Sequence, residues 1–395
     1  MQLRSVLMAM TLSLAAPLGV FAVPAQAADP YDIHAILPLT GGGAFLGNTM
    51  KANLEALELV VNKDGGVSGR PVHFVIHDDE TNPQRAVERA NEVLALKPAV
   101  VLGSAIVGLC NAIAPLMKNG PVLYCLSPSY APVVGGFVQS SGTSTPDQID
   151  ALIRYYRLKG LTKIAVLNGI DATGQNADKA IDKLLADPDN KGITIVERQH
   201  FAPTDLSVSA QIERIKGAGA QALIAWTTGA PVATIFKGML QAGLDIPVGV
   251  TSGNQLYAQM EQYQSFLPAQ LVLPTALFAE HEGVLTLDPR MEKAQKEMYA
   301  ALATKGMKAD NATSLTWDAG LLAVTALKAK GASATAEDVR AYLAGLTDFA
   351  GINGIYDFTK VAGRGLGRDS ATIVKYDVAG KRWIWLAKPG GTPLN

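Results

Sequence analysis

Short, almost uninterrupted apolar runs that alternate with segments of helical period constrain this chain more than any other feature. Ile164-Ala165-Val166-Leu167 is one such run; a strand that is apolar on both faces belongs in a parallel sheet covered by helices on each side. Runs of this kind predict strands at 32–37, 72–77, 99–102, 122–126, 163–167, 193–198, 222–226 and 271–273, with a short one at 248–250. Between them the period changes. Met50, Leu54, Leu57 and Val61 fall on one helical face, as do Ile149, Leu152, Ile153 and Tyr156, so each helix can lay an apolar stripe on a sheet. Strand then helix, repeated this often, predicts a doubly wound α/β architecture with right-handed crossovers. There are enough units for two sheets. After residue 273 helical patterns dominate 288–346, and the chain ends in strands at 372–378 and 382–386 joined by a turn at Ala379-Gly380. The tail Pro389-Gly390-Gly391-Thr392-Pro393 has no apolar period and is expected to be loose.

The N-terminus reads as an export signal. Arg4 gives a positive start, 6–20 is an apolar run broken only by small residues and Pro17, and Ala25-Gln26-Ala27 fits the small-x-small rule for cleavage after Ala27. A membrane anchor is the alternative, but the run is shorter than the roughly 20 apolar residues a spanning helix needs. No cysteine follows the run, so the product is expected free in the periplasm instead of lipid-tethered. With residues 1–27 removed from 395, the remainder exceeds what one hydrophobic core usually supports, and two domains are expected. Lys plus Arg number 34 against 35 Asp plus Glu without long runs of either sign, which argues against nucleic acid or an acidic membrane surface as partner. The polar stretch 140–146 is the best candidate for a first interdomain crossing. Two cysteines, Cys110 and Cys125, lie in a chain bound for an oxidising compartment. Two buried thiols remain possible. The doubly wound reading favours a bridge, because it puts Cys110 in the first turns of a helix after the third strand and Cys125 near the end of the fourth.

Catalytic and cofactor motifs are missing. Gly41-Gly42-Gly43-Ala44-Phe45-Leu46-Gly47 sits where dinucleotide folds place a glycine loop, but Leu46 occupies the sixth position of the fingerprint and the next strand ends far away at Asp78. The glycines instead permit a tight turn or a close backbone approach to a ligand. His77-Asp78-Asp79-Glu80 resembles a metal or acid–base cluster, yet Asn82-Pro83 behind it makes a helix cap and first position, which favours a structural role. No nucleophile-elbow, zincin or P-loop pattern occurs and the five histidines are scattered. No metal, cofactor or catalytic residue is expected, and an enzyme is the runner-up. Small polar residues recur instead where predicted strands end: Gly103-Ser104-Ala105, Ser127-Pro128-Ser129-Tyr130, Asp171-Ala172-Thr173-Gly174, Thr227-Thr228-Gly229 and Thr251-Ser252-Gly253-Asn254. Ligands bind at that edge of open α/β sheets. Each loop alone has a plain turn reading; five on two facing edges predict a cleft.

At this level the residues resemble a family, the branched-chain-amino-acid type of ABC-transporter periplasmic solute-binding protein. Pro38-Leu39-Thr40-Gly41 with Gly47 is similar to its opening loop, Asn62-Lys63-Asp64-Gly65-Gly66-Val67 with Gly69 to its next turn, and Asp78-Asp79 with Pro83 and Ala86 to the step after it. Ala242-Gly243-Leu244 and Trp317-Asp318-Ala319 sit where similar family segments do. The resemblance implies the type I periplasmic-binding-protein fold, two doubly wound lobes joined by a three-crossing hinge. Lobe 1 would be 28–145 and 275–353, and lobe 2 146–274 and 354–395. It also implies an inner-membrane ABC permease as partner, a small-molecule carboxylate as ligand, and a monomer. The ligand's carboxylate would be held by the loops after the third and fourth strands, about Ser104, Ala105, Ile106 and Val107, then Ser127, Ser129 and Tyr130. Phe45 or Leu46 would flank it, and Thr173, Thr228, Ser252 and Asn254 would face it from the second lobe.

One departure bears on the ligand. Amino-acid binders of the family commonly hold the ligand ammonium with an acid after the short second-lobe strand, whereas this chain reads Thr251-Ser252-Gly253-Asn254. Burying an ammonium without a counter-charge is expensive, unless Asp171 reaches the site. Phe45, Tyr130, Trp226 and Tyr257 lie in or beside the loops and offer flat walls or plain core packing. Tyr257-Ala258-Gln259-Met260 through Phe266-Leu267-Pro268 resembles the aromatic-acid-binding branch. The expectation is therefore a benzoate, phenylpropanoid or aryl keto acid ahead of leucine-like amino acids.

Overall fold

The computed structural model describes residues 29–280 and 283–394, so the expected leader lies outside the described residues. Its five-stranded sheet contains β1 (Tyr31–Leu37), β2 (Val72–Asp78), β3 (Val100–Gly103), β4 (Val122–Cys125) and β5 (Val138–Ser140). All pair in parallel, in the order β2-β1-β3-β4-β5. The side-chain period of two sends the apolar residues of β1 to both faces of the sheet. Ile33, Ala35 and Leu37 join the core beneath α1 (Ala44–Lys63), while Ile36 joins the opposite core beneath α2 (Pro83–Ala95) and α3 (Val107–Ile113). The stripe Met50, Leu54, Leu57 and Val61 of α1 is fully buried.

The second sheet repeats the plan. After α4 (Thr145–Leu158) come β6 (Lys163–Gly169), α5 (Ala172–Leu185), β7 (Thr194–Phe201), α6 (Ser209–Gly217), β8 (Ala222–Ala225), α7 (Val232–Ala242), β9 (Val248–Val250), α8 (Tyr257–Tyr263) and β10 (Leu271–Thr275). The parallel order β7-β6-β8-β9-β10 matches that of the first sheet. In β6 the alternation is again two-sided, with Ala165 and Leu167 in one core and Ile164 and Val166 in the other. The chain then returns through α9 (Pro289–Ala303), α10 (Asn311–Lys330) and α11 (Ala336–Gly345), the first two packing on α1. It crosses a third time and closes the second sheet with the antiparallel β13 (Thr372–Asp377) and β14 (Arg382–Trp385). These are two doubly wound lobes joined by three connections.

Three features were not legible in the pattern. β5, the hairpin β11 (Phe349–Ala350) with β12 (Ile355–Tyr356), and the C-terminal pair β15 (Ala387–Lys388) with β16 (Thr392–Pro393) are three residues or fewer, too short to show a period. The tail corrects the expectation of looseness. Gly390 N donates to Ala371 O at 2.7 Å and Leu394 N to Leu386 O at 2.8 Å. Gly391, at φ +83°, lies so close to the Ala151 carbonyl of α4 that a Cβ would collide with it. Backbone hydrogen bonds and a close approach, not an apolar stripe, dock this segment.

Cys110 and Cys125 form a disulfide with Cα atoms 6.0 Å apart, tying α3 to the end of β4. Asn82 caps α2 by accepting from Gln84 N and Arg85 N at 2.9 and 3.1 Å, the structural role its sequence indicates. Among the described residues no helix is long and apolar enough to cross a membrane. No group of three or more His, Cys, Asp or Glu among them is placed to hold a metal ion.

Candidate functional site

Loops from the carboxyl ends of both sheets meet around one narrow cavity between the lobes. Doubly wound sheets of this strand order have their topological switch point between the first and third strands, here β1/β3 and its counterpart β6/β8. Leu46 enters from the segment after β1 and Ala105, Ile106 and Val107 from the loop after β3. Thr173 follows β6, and Trp226 and Thr228 follow β8. Ser127, Pro128 and Ser129 after β4, and Thr251, Ser252 and Gly253 after β9, complete the two edges.

Of the residues singled out from sequence, Leu46, Ala105, Ile106, Ser127, Ser129, Thr173, Thr228 and Ser252 line this cavity. Four do not. Phe45 packs edge-on against Tyr263, ring centroids 6.3 Å apart, at the rim. Ser104 is fully buried behind the wall, where its Oγ donates to Asp79 Oδ2 at 2.6 Å. Tyr130 faces a separate surface hollow beside Phe137 and Val138. Asn254 supports the second-lobe loops from beneath: its Oδ1 accepts from Gly229 N at 3.1 Å and its Nδ2 donates to Thr227 O at 2.7 Å. Tyr257, another candidate wall, packs against Trp383 and Tyr376 elsewhere. Asp171 caps α5, accepting from Gly174 N at 3.1 Å, and does not line the cavity.

Sequence reasoning missed Thr145, Gln148 and Leu315. The first two open α4 directly after the first crossing, where Ser144 accepts from Asp147 N at 3.2 Å as helix cap. The Ser-Thr-Pro signal of a helix start was the available clue. Leu315 belongs to α10, which is buried on nearly every face, so no stripe distinguishes a cavity-facing position from core.

The lobes touch around the rim. Gly42 O accepts from Ala230 N at 3.3 Å, and Asn176 Nδ2 donates to Ser129 O at 2.9 Å. Gly229, at φ +84°, approaches so closely that a Cβ there would lie 2.7 Å from Gly42 O. Inside, Ser129 Oγ and Thr145 Oγ1 are 2.8 Å apart and Thr228 Oγ1 and Thr251 Oγ1 3.1 Å apart. The Trp226 indole is 1 % exposed and its Nε1 has no hydrogen-bond partner among the described residues; a buried donor of this kind ordinarily has one. No lining residue carries a charge. Hydroxyls, amides, the Trp226 indole and apolar side chains line the compartment.

Comparison with known proteins agrees with this geometry. A family model described as periplasmic binding protein matches residues 30–381. The Leu/Ile/Val-binding protein homolog 3 of Brucella melitensis biotype 1 is 29 % identical over 217 residues, covering 53 % of this chain and 57 % of that protein. The alignment thus spans little more than half of this relative. An extracellular ligand-binding receptor from Rhodopseudomonas palustris HaA2 superposes with a TM-score of 0.79 at 19 % identity, over 91 % of this chain and 99 % of that one. The branched-chain amino acid transporter substrate binding protein of Streptococcus pneumoniae, solved with isoleucine, gives 0.74 at 17 % identity over 89 % and 97 % of the two chains.

Proposed function

The chain belongs to the periplasmic-binding-protein family, and from that premise we propose that it is the solute-binding component of an ABC importer. It closes its lobes, 28–145 with 275–353 and 146–274 with 354–395, around a small carboxylate and presents it to an inner-membrane permease without turnover. The observation that carries the ligand reading is the uncharged lining of the cavity. An α-amino acid buried there would bring an ammonium group with no carboxylate beside it, and desolvating an unpaired charge costs several kcal/mol, on the order of 5. A carboxylate with an uncharged body meets hydroxyls from Ser127, Ser129, Thr173 and Ser252, and its apolar part packs against Leu46, Ile106 and Trp226. The free Trp226 Nε1 favours a body with an additional oxygen acceptor, which places aryl keto and hydroxylated aromatic acids ahead of plain benzoates and phenylpropanoids.

A second reading rests on the relatives, whose names specify leucine, isoleucine and valine. Calorimetric titration of the purified protein with aryl keto acids, benzoates, leucine and valine separates the two. Aromatic acids are expected to bind more tightly than leucine. Tight binding of leucine or valine, with none of the aromatic acids bound, overturns the first reading in favour of the second.

A further inference from the structure

Arg364 lies on the third connection between the lobes and is 5 % exposed; among the described residues it is the only lysine or arginine so deeply buried. Buried cations normally face carboxylates. This one faces carbonyls. Nη1 donates to Ser141 O and Gly142 O at 3.1 and 3.0 Å, and Nη2 to Pro128 O and Tyr130 O at 3.1 and 2.6 Å. No acid among the described residues is in direct contact with it: Asp147 acts on Arg364 only through space, and each of the nearby acids has its own partners. Asp147 accepts from Ser144 Oγ at 2.6 Å, Asp150 pairs with Arg368 at 2.7 Å, and Asp318 accepts from Ile352 N, Asn353 and Tyr356 Oη. The peptides that Arg364 grips bracket Ser129, and Pro128 and Ser129 are cavity wall. A positive charge whose direct partners are all carbonyls therefore sits one peptide behind a wall lined by no charged side chain.

We propose that Arg364 is the positioning residue that gives the cavity its preference for an anion. It holds the 127–130 loop in shape through its four carbonyl bonds, and its charge stabilises a ligand carboxylate across the Pro128–Tyr130 backbone. The inference deepens the reading of the cavity as a carboxylate site and rests on it. A unit charge acting through one peptide layer at low effective dielectric changes affinity by roughly tenfold, and burial leaves little salt to screen it. The guanidinium also joins the first and third connections, so the wall that receives the ligand is fixed to the hinge.

The test is a selectivity ratio. Full-length wild type, Arg364→Gln and Arg364→Lys are titrated with benzoate and benzamide, and with L-leucine and leucinamide, each pair alike in shape and different by one negative charge. Wild type is expected to favour the carboxylate of whichever pair it binds. Arg364→Gln is expected to lower the carboxylate-to-amide ratio about tenfold, and Arg364→Lys to restore most of it while binding both members more weakly. A purely structural role would weaken carboxylate and amide together and leave the ratio unchanged; that outcome overturns the proposal. So does a wild type that binds acid and amide equally, which needs no variant to fold. Leucine binding without benzoate binding, the ratio still dependent on Arg364, would remove the aromatic reading and keep this one. No binding by any of the carboxylates removes both.

Discussion

The two walls of the cavity descend from sheets of the same strand order, yet they are anchored by different chemistry. The first-lobe wall is held by a covalent bond and by buried charge. The Cys110–Cys125 disulfide braces α3 against β4, Asp79 ties down Ser104, and Arg364 grips the loop containing Ser129. The second-lobe wall is held chiefly by neutral groups, Asn254 between Thr227 and Gly229 and the paired hydroxyls of Thr228 and Thr251, with Asp171 capping α5 beside Thr173. The same topology thus gives one wall braced by a disulfide and a buried guanidinium and one braced chiefly by neutral hydrogen bonds; the proposal above assigns discrimination by sign of charge to the first.

Three perturbations break or sharpen that contrast. Removing the bridge with Cys110→Ala plus Cys125→Ala has the largest expected effect. Its 15-residue separation corresponds to a loss of about 3 kcal/mol in the chain-entropy model, read as a lower unfolding midpoint in calorimetry. A midpoint unchanged between the double variant and wild type would mean that the first wall does not depend on its staple.

Next is the charge behind Ser104. Burial raises the Asp79 carboxyl to about 6, against the lowering effect of its bonds from Ser104 and Thr81. A folded-state pKa above the unfolded one gives stability that is present below about pH 4 and lost as pH rises through 6. Asp79→Asn removes this loss, so the variant is expected to gain roughly 2 to 3 kcal/mol relative to wild type between pH 4 and pH 7. Urea unfolding of both proteins at the two pH values measures it. His34 and His77 respond in the opposite sense, since burial lowers both, but they are common to the two proteins and cancel in the difference. Parallel pH curves for the two proteins would put the Asp79 charge outside the energetics of the wall.

The smallest effect is expected on the neutral side. Asn254→Ala leaves Gly229 N and Thr227 O buried without partners, at a cost of roughly 2 kcal/mol. Its stability loss is expected to be independent of pH between 4 and 8, because no ionisable group is removed. A pH-dependent loss would show that the second wall, too, is held by charge.

Legibility followed the same division. The repeated apolar strands and the stripes on α1 and α4 are periodic signals, and they place β1 to β4 and β6 to β10 within a few residues of where the structure has them. Eight of the twelve candidate ligand-facing residues line the cavity because strand ends in a doubly wound sheet have only one edge to face. The other four do not line it, for local reasons. Whether a residue in such a loop points inward depends on its partner, and Ser104 and Asn254 are turned away by Asp79 and Gly229, which sequence does not place beside them.

By itself the sequence determined the α/β architecture, the doubling of the sheet and the edge at which a ligand can sit, since each follows from periodicities of two and 3.6 that survive in one dimension. Only tertiary structure decided the charge environment of the cavity. Arg364 lies more than 200 residues from the carbonyls that hold it. A buried guanidinium solvated by backbone leaves no mark in a pattern of side chains, because carbonyls are present at every position and only the fold brings four of them to one place.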